Sequence, residues 1–173
     1  RPSSSVYGVV LDERAARLSK RKTKFIDDPI YHLDNAEQLI DEMLRGDSIA
    51  PETSSEESRV PRDLPPELQS LYREPLLSPA RERALFLKFN YRKYQFAMAR
   101  RRLDPQLARA RDLDRLERLL RLAAEVKNEI VRANLRLVVS VARRHLRPGL
   151  DLMELVSEGS VTLMRAVESF DVH

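Results

Sequence analysis

Over residues 125–147 the apolar positions wrap around a helix. At 100° per residue, Val126, Ile130, Ala133, Leu137 and Val141 fall on one side and Leu135, Val139, Ala142 and Leu146 on another. The strip left over holds Glu129, Arg132, Arg136, Ser140, Arg143 and Arg147, a ridge of arginines on an otherwise buried helix. The next helix shows two stripes. Leu152, Leu155, Val156, Gly159, Leu163, Val167 and Phe170 form one, wide enough to dock on the preceding helix. Met153, Ser157, Ser160, Val161 and Met164 form a smaller one, edged by Glu154 and Glu158. Two methionines among small polar residues suit a surface that receives a partner helix, since methionine adapts its shape and small residues allow close approach. Burial of this stripe inside the bundle, with Gly159 serving helix packing, is the alternative that periodicity leaves open.

Upstream, the pattern predicts short helices over 11–22 and 35–46. In the second, Leu39, Ile40, Met43 and Leu44 share a face and Gly46 is placed to end the helix. Residues 47–64 are rich in Ser, Pro and acids and nearly free of large apolar groups, the composition of a flexible linker. Pro65-Pro66 opens a short helix through Tyr72, interrupted at Pro75. Ser78-Pro79 reads as N-cap and first helical residue of a long helix to about Leu103, and Asp104-Pro105 reads as the start of the next. Pro148-Gly149 stops that helix, and Asp151 caps the last one, with Glu154 placed to complete a capping box. The fold expected is all-α: a bundle of long antiparallel helices behind a partly flexible, acidic N-terminal segment.

Composition narrows the chemistry. Four glycines in 173 residues, with no cysteine, disfavour a sandwich or barrel and exclude disulfides and cysteine-ligated zinc. Three scattered histidines lack metal spacing, so no metal or cofactor is expected. Absence of cysteine fits a cytoplasmic location, and no run approaches the roughly 18 apolar residues of a membrane span. The chain starts at Arg rather than Met and stops just beyond a strongly helical pattern, which reads as a piece of a longer protein.

The net charge of +4 conceals a polarity along the chain. Residues 1–24 carry seven bases against two acids, and residues 25–80 four bases against thirteen acids. Residues 81–147 carry nineteen bases against seven acids, and residues 148–173 one base against five acids. A one-signed field over helical surface attracts polyanions, so the basic block is the first candidate for nucleic acid, and the acidic block is a candidate to fold back on it.

Within the basic block, Phe86, Phe89, Tyr91, Tyr94 and Phe96 interleave with Lys88, Arg92, Lys93 and the run 100–102. Leu85, Phe86, Phe89 and Phe96 share a face and read as core, leaving Tyr91 and Tyr94 as candidate stacking platforms beside cations. Asn134, toward the apolar side, reads as satisfying a buried polar group. No glycine loop cradles a phosphate and no nucleophile has a base beside it in sequence, so the chain reads as a binding protein and not as an enzyme.

"VKNEIVRANLRLVVSVARRHL" followed by "DLMELVSEGSVTLMRAVESFD" resembles the sigma-70 family of bacterial RNA polymerase sigma factors, over residues 125–171. "LYREPLLSPARERALFLKFNYRKY" is similar to the family segment that joins an acidic N-terminal region to the central domain. The resemblance implies four parts: an N-terminal region over 1–64, a region 1.2-like segment over 65–102, a variable spacer over 103–124, and the first half of the central domain, regions 2.1 and 2.2, over 125–173. It implies that Glu154, Ser157, Glu158, Ser160 and Met164 face the clamp-helices coiled coil of the polymerase's largest subunit, and with Met153 and Val161 of the same stripe they are the candidate polymerase-binding residues. It further implies promoter DNA as a partner of the intact protein. Tyr91, Arg92, Lys93, Tyr94, Arg100, Arg101, Arg132, Arg136, Arg143 and Arg147 are the candidate DNA-binding residues, taken from the basic ridge and this segment together. An anti-sigma protein is a further candidate partner. The family has Asp, Gln, Asn and Gly where this chain has Glu154, Ser157, Ser160 and Thr162. Its promoter-melting residues come after the position of Asp171, so the chain as it stands is expected to bind core polymerase without opening promoter DNA. Two other classes compete: a sigma-like decoy that occupies the polymerase without initiating, and a helical DNA-binding protein that acts independently of polymerase.

Overall fold

The computed structural model describes residues 6–46, 60–61, 64–73 and 76–170. The regular elements are α1 (Val6–Lys20), α2 (Ala36–Gly46), α3 (Pro66–Gln69), α4 (Pro79–Arg101), α5 (Ala110–His145) and α6 (Leu152–Ser169), with 3-10 turns at Pro29–His32 and Ser70–Arg73. The chain is all-α among the described residues. Most of the linker expected over 47–64 lies outside the described residues, as do Glu74, Pro75 and Asp171. Leu64, at the linker's end, is a core residue and not part of a solvated tether.

Several helix ends follow from local hydrogen bonds. The Ser78 hydroxyl accepts from the Arg81 amide at 3.0 Å, with Pro79 as the first helical residue of α4. Gly149 takes φ +89°, a left-handed conformation that favours glycine, and turns the chain after α5. Asp151 accepts from the Met153 amide at 2.8 Å and caps α6. Glu154 does not complete a capping box, since its carboxylate makes no hydrogen bond among the described residues. Asp104-Pro105 does not start a helix either. The Asp104 carboxylate accepts from the Gln106 amide at 2.9 Å and its carbonyl from the Leu107 amide at 3.2 Å, which closes a tight turn. Helix α5 starts at Ala110, where the Arg109 amide donates to the Asp112 carboxylate at 3.2 Å.

The chain divides into two compact units. The first comprises residues up to Glu37 together with 87–126. Leu18 and Ala15 of α1 pack with Phe96 of α4 and with Leu113, Leu116 and Leu119 of α5. Arg14 locks α1 to α5 by donating to Asp114 at 2.6 Å and Glu117 at 2.9 Å, while Arg17 reaches Glu117 at 3.1 Å. Past α1 the chain runs back along α4. Arg100 donates to the Ser19 carbonyl at 2.9 Å, Phe25 meets Tyr94 edge-on at 5.5 Å, and the Ile26 amide donates to Asn90 at 3.1 Å.

The second unit comprises residues 38–86 and 127–173. Leu64 and Leu68 pack with Val138, Val139 and Ala142 of α5 and Val156 of α6. Helices α5 and α6 are antiparallel, since Lys127 pairs with Glu168 at 2.7 Å while Val138 abuts Gly159. Arg81 ties the α2 end to α5, donating to the Leu44 carbonyl and to Glu129, each at 3.3 Å. Helix α5 is not buried around its circumference: Val138, Val139 and Ala142 are in the core, whereas Leu137 is 59 % exposed, and Val141 and Leu146 also face out. Helices pack through one stripe at a time, and among the described residues none covers this second side.

Candidate protein-docking and nucleic-acid surfaces

Burial sorts the two stripes of α6. Val156 and Val167 are buried and Leu152, Leu155 and Leu163 are packed against the core, whereas Phe170 at the end of this stripe is exposed, with its ring 4.6 Å from that of Phe86. A Cβ on Gly159 would come within 2.7 Å of Val138 Cγ1, so the glycine belongs to this packed side. The other stripe faces solvent. Met153, Val161 and Met164 are 41 %, 44 % and 39 % exposed, and Glu154, Ser157 and Glu158 are exposed beside them. Ser160 is half-buried and its hydroxyl donates to the Val156 carbonyl at 2.7 Å, whereas Ser157 has no side-chain hydrogen bond among the described residues. The seven residues therefore form one strip in which three apolar side chains alternate with two carboxylates and two hydroxyls.

On α5, Arg132 is exposed, Arg136 lies 4.7 Å over the ring of Tyr72, and Arg143 is half-buried. Arg147 is exposed in the turn after α5. Asn134 donates to the Ile130 carbonyl one turn back, at 2.9 Å. Tyr72 under Arg136 carries no signal in local sequence, because its ring comes from the 3-10 turn Ser70–Arg73.

The α4 candidates lie in the first unit and are mostly enclosed. Arg92 is buried, with Nη2 donating to Glu37 at 2.6 Å and Nη1 to Gln95 at 2.9 Å. Lys93 is buried with its ammonium 4.5 Å over the Phe89 ring. Tyr91 and Tyr94 lie 5.5 Å and 5.8 Å from the buried ring of Tyr31, so their faces are partly taken by protein. Burial is the larger cause raising the Tyr91 phenol above its ordinary value, with Glu37 adding to it. Arg101 alone of the set on α4 is exposed, while Arg100 is half-buried against Ser19. Tyr31 organises this cluster and the reading of periodicity passes it over. Its signal is local: Asp28 accepts from the Ile30 amide at 2.9 Å and Pro29 follows, which starts the turn that presents the ring.

Among the described residues no group of His, Asp and Glu is arranged to hold a metal, and no helix is long and apolar enough to cross a membrane. An all-α chain with an exposed helix face of mixed Met, Ser and Glu has the design of a macromolecule-binding protein. Residues 130–173 match the family model for sigma-70 region 2. Over 104 residues the chain is 39 % identical to the RNA polymerase principal sigma factor HrdD of Streptomyces griseus, covering 60 % of this chain and 31 % of that protein. It is 52 % identical over 56 residues to the principal sigma factor HrdC of Streptomyces coelicolor, 32 % of this chain and 16 % of the relative. It is 46 % identical over 59 residues to the sigma-C factor of a Nostoc species, 34 % of this chain and 14 % of that one. The chain is thus similar to sigma-70 family proteins over these residues, and it spans a third or less of the length of these relatives. No solved structure matches it.

Proposed function

We propose that the protein is a sigma factor that docks on core RNA polymerase through the exposed strip of α6 and directs promoter recognition and transcription initiation. The observation that carries the docking is the exposure of Met153, Val161 and Met164 on the side of α6 opposite the stripe packed on α5, inside the segment matching sigma-70 region 2. Apolar anchors rimmed by carboxylates fit a partner helix that offers hydrophobic pockets and cations, and the clamp-helices coiled coil of the largest subunit is the surface assigned to them. Promoter DNA is the second partner, met by surface cations that include the exposed Arg132 and Arg147. Binding, not covalent chemistry, is the role.

Pull-down of core polymerase by the wild-type chain and by Ser157→Arg/Met164→Arg tests the docking. Both positions are exposed, so the variant is expected to keep its helicity and lose most core retention. Equal retention would overturn the assignment.

A further inference from the structure

We propose that a groove on the first unit receives a second copy of this chain, and that its occupant is the exposed strip of that copy's α6. The pairing stands on the exposure of the strip and not on its use by polymerase. Copies joined groove to strip associate head to tail, each offering one surface and receiving the other. The strip is thereby covered when the chain is concentrated and open when it is dilute.

The groove lies where the end of α4, the connection 102–109 and the start of α5 meet, and it has a volume of about 510 Å³. Its floor is apolar: Met98, Ala99, Leu103 and Ala108 line it together with the buried Leu116. Ala99, Leu103 and Ala108 also pack on the core of the unit, which fixes the floor in place. Leu107 stands at the edge and is 77 % exposed, the most exposed large apolar side chain among the described residues. An ordered turn holds it there, since the Leu107 amide donates to the Asp104 carbonyl at 3.2 Å and the Gln106 amide to the Asp104 carboxylate at 2.9 Å. Asp104 and Asp112 border the groove, but each carboxylate accepts from a backbone amide, that of Gln106 and that of Arg109. Arg102 and Arg115 border it too, both exposed, and neither side chain has an ion pair or hydrogen bond among the described residues. Asp114 and Glu117 on the start of α5 are taken by Arg14 and Arg17, so the charge left without a partner at the rim is positive.

An apolar floor, a projecting leucine and two unpaired cations call for an amphipathic helix that carries carboxylates. The strip of α6 has that chemistry. Glu154 and Glu158 are one turn apart on it, exposed, and neither carboxylate has an ion pair or hydrogen bond among the described residues. Met153, Val161 and Met164 supply exposed apolar side chains, and methionine adapts to an irregular floor. Ser157 and Ser160 are small and leave Leu107 room to approach. Nucleic acid fits the groove less well, because phosphates would engage Arg102 and Arg115 and leave the floor and Leu107 in water. Opposite charge across exposed surfaces gives register and partner choice more than affinity, so the association is weak and screened by salt.

The test follows the full chain by sedimentation and by the nuclear magnetic resonance signals of its four methionine methyl groups. Met98 reports on the groove, Met153 and Met164 on the strip, and Met43 of α2 is the reference. From micromolar to millimolar concentration at low salt, the mean mass is expected to rise and the signals of Met98, Met153 and Met164 to move together while Met43 stays. Arg102→Glu/Arg115→Glu and Glu154→Arg/Glu158→Arg are each expected to weaken self-association at least tenfold. Mixed with one another they are expected to associate again, because each groove then meets a strip of opposite charge. All four positions are exposed, so folding of these variants is not in question. Leu107→Ser should weaken association several-fold with its salt dependence unchanged. A constant mass at all concentrations, a rise in mass with Met98 unmoved, or no recovery in the mixture would overturn the proposal. So would a Met98 shift caused by Glu154→Arg/Glu158→Arg in dilute solution, which would place the contact within one copy. Movement of Met98 on adding duplex DNA, with no self-association, would reassign the groove to nucleic acid. Core polymerase retention is read separately at micromolar concentration, where Arg102→Glu/Arg115→Glu is expected to match the wild type. Loss of retention in Ser157→Arg/Met164→Arg without any self-association of the wild type would leave the α6 docking standing and overturn this pairing alone.

Discussion

A Cβ added to Gly159 would sit 2.7 Å from Cγ1 of Val138, closer than packed carbons approach. Here α6 lies against the side chain of α5 with no room for a methyl group. Valine is branched at Cβ and stiff in a helix, so it cannot swing aside. The glycine in the middle of α6 therefore sets the distance between two helices, and the exposed strip beside it is held at a fixed angle to α5.

Gly159→Ala is expected to destabilise the second unit. Overpacking of about 1–3 kcal/mol outweighs a gain of about 1 kcal/mol in helix propensity. A lower thermal midpoint for Gly159→Ala, partly restored in Gly159→Ala/Val138→Ala, is the expected result, and a rise in the single variant would contradict the close contact.

The Arg14–Glu117 pair makes the stability of the first unit sensitive to acid. The hydrogen bond from Arg14 holds the Glu117 carboxyl below the usual carboxylate range, and that bond with Glu117, then the one with Asp114, holds the Arg14 guanidinium above its own. A depressed folded pKa means the contribution is complete above the ordinary glutamate value and is lost as pH falls through the folded one. Denaturant melts of wild type and Glu117→Gln should differ by about 0.5–1 kcal/mol at pH 7 and converge in acid. Parallel curves at all pH values would count against the pair.

Tyr31 buries its ring and donates its hydroxyl to the Leu87 carbonyl at 3.1 Å. Burial, then Asp28 and Asp27, push its phenol well above the ordinary tyrosine range. Tyr31→Phe should cost about 1 kcal/mol, the net worth of one such bond. The raised folded pKa means that the neutral phenol's contribution is complete below the ordinary tyrosine value and fades as pH rises above it. An ultraviolet titration should lose part of its latest-ionising tyrosine signal in the variant.

Asp151→Ala removes the acceptor for the Met153 amide. A loss of about 1 kcal/mol is expected, with faster hydrogen exchange at that amide. Exchange at the amides in the middle of α6 should change less, because they are held by the packing of Val156 and Gly159 on α5.

Much of the second unit was legible from local pattern. The Ser78 and Asp151 caps and the stripe from Leu152 to Val167 all appear as periodicity or capping chemistry, since they depend on residues within a few positions. Asp104-Pro105 misled because the same residues that cap helices also close turns, and the bond to Gln106 decided between them. The α4 cations were harder to read. Arg92 is enclosed by Glu37, 55 positions away, and Tyr91 and Tyr94 by a ring from a 3-10 turn about sixty residues earlier.

The sequence by itself determined that the chain is helical, where α4 and α6 begin, and that α6 has one stripe more than a single neighbour needs. Each is set by the 100° helical period or by hydrogen bonds within one turn. Only the tertiary structure decided which stripe of α6 stays in solvent, that Gly159 is a contact and not a flaw, and that Leu137 is uncovered while Arg92 is enclosed. Burial of a side chain depends on what distant segments bring to it, and no periodicity along a single helix contains that information.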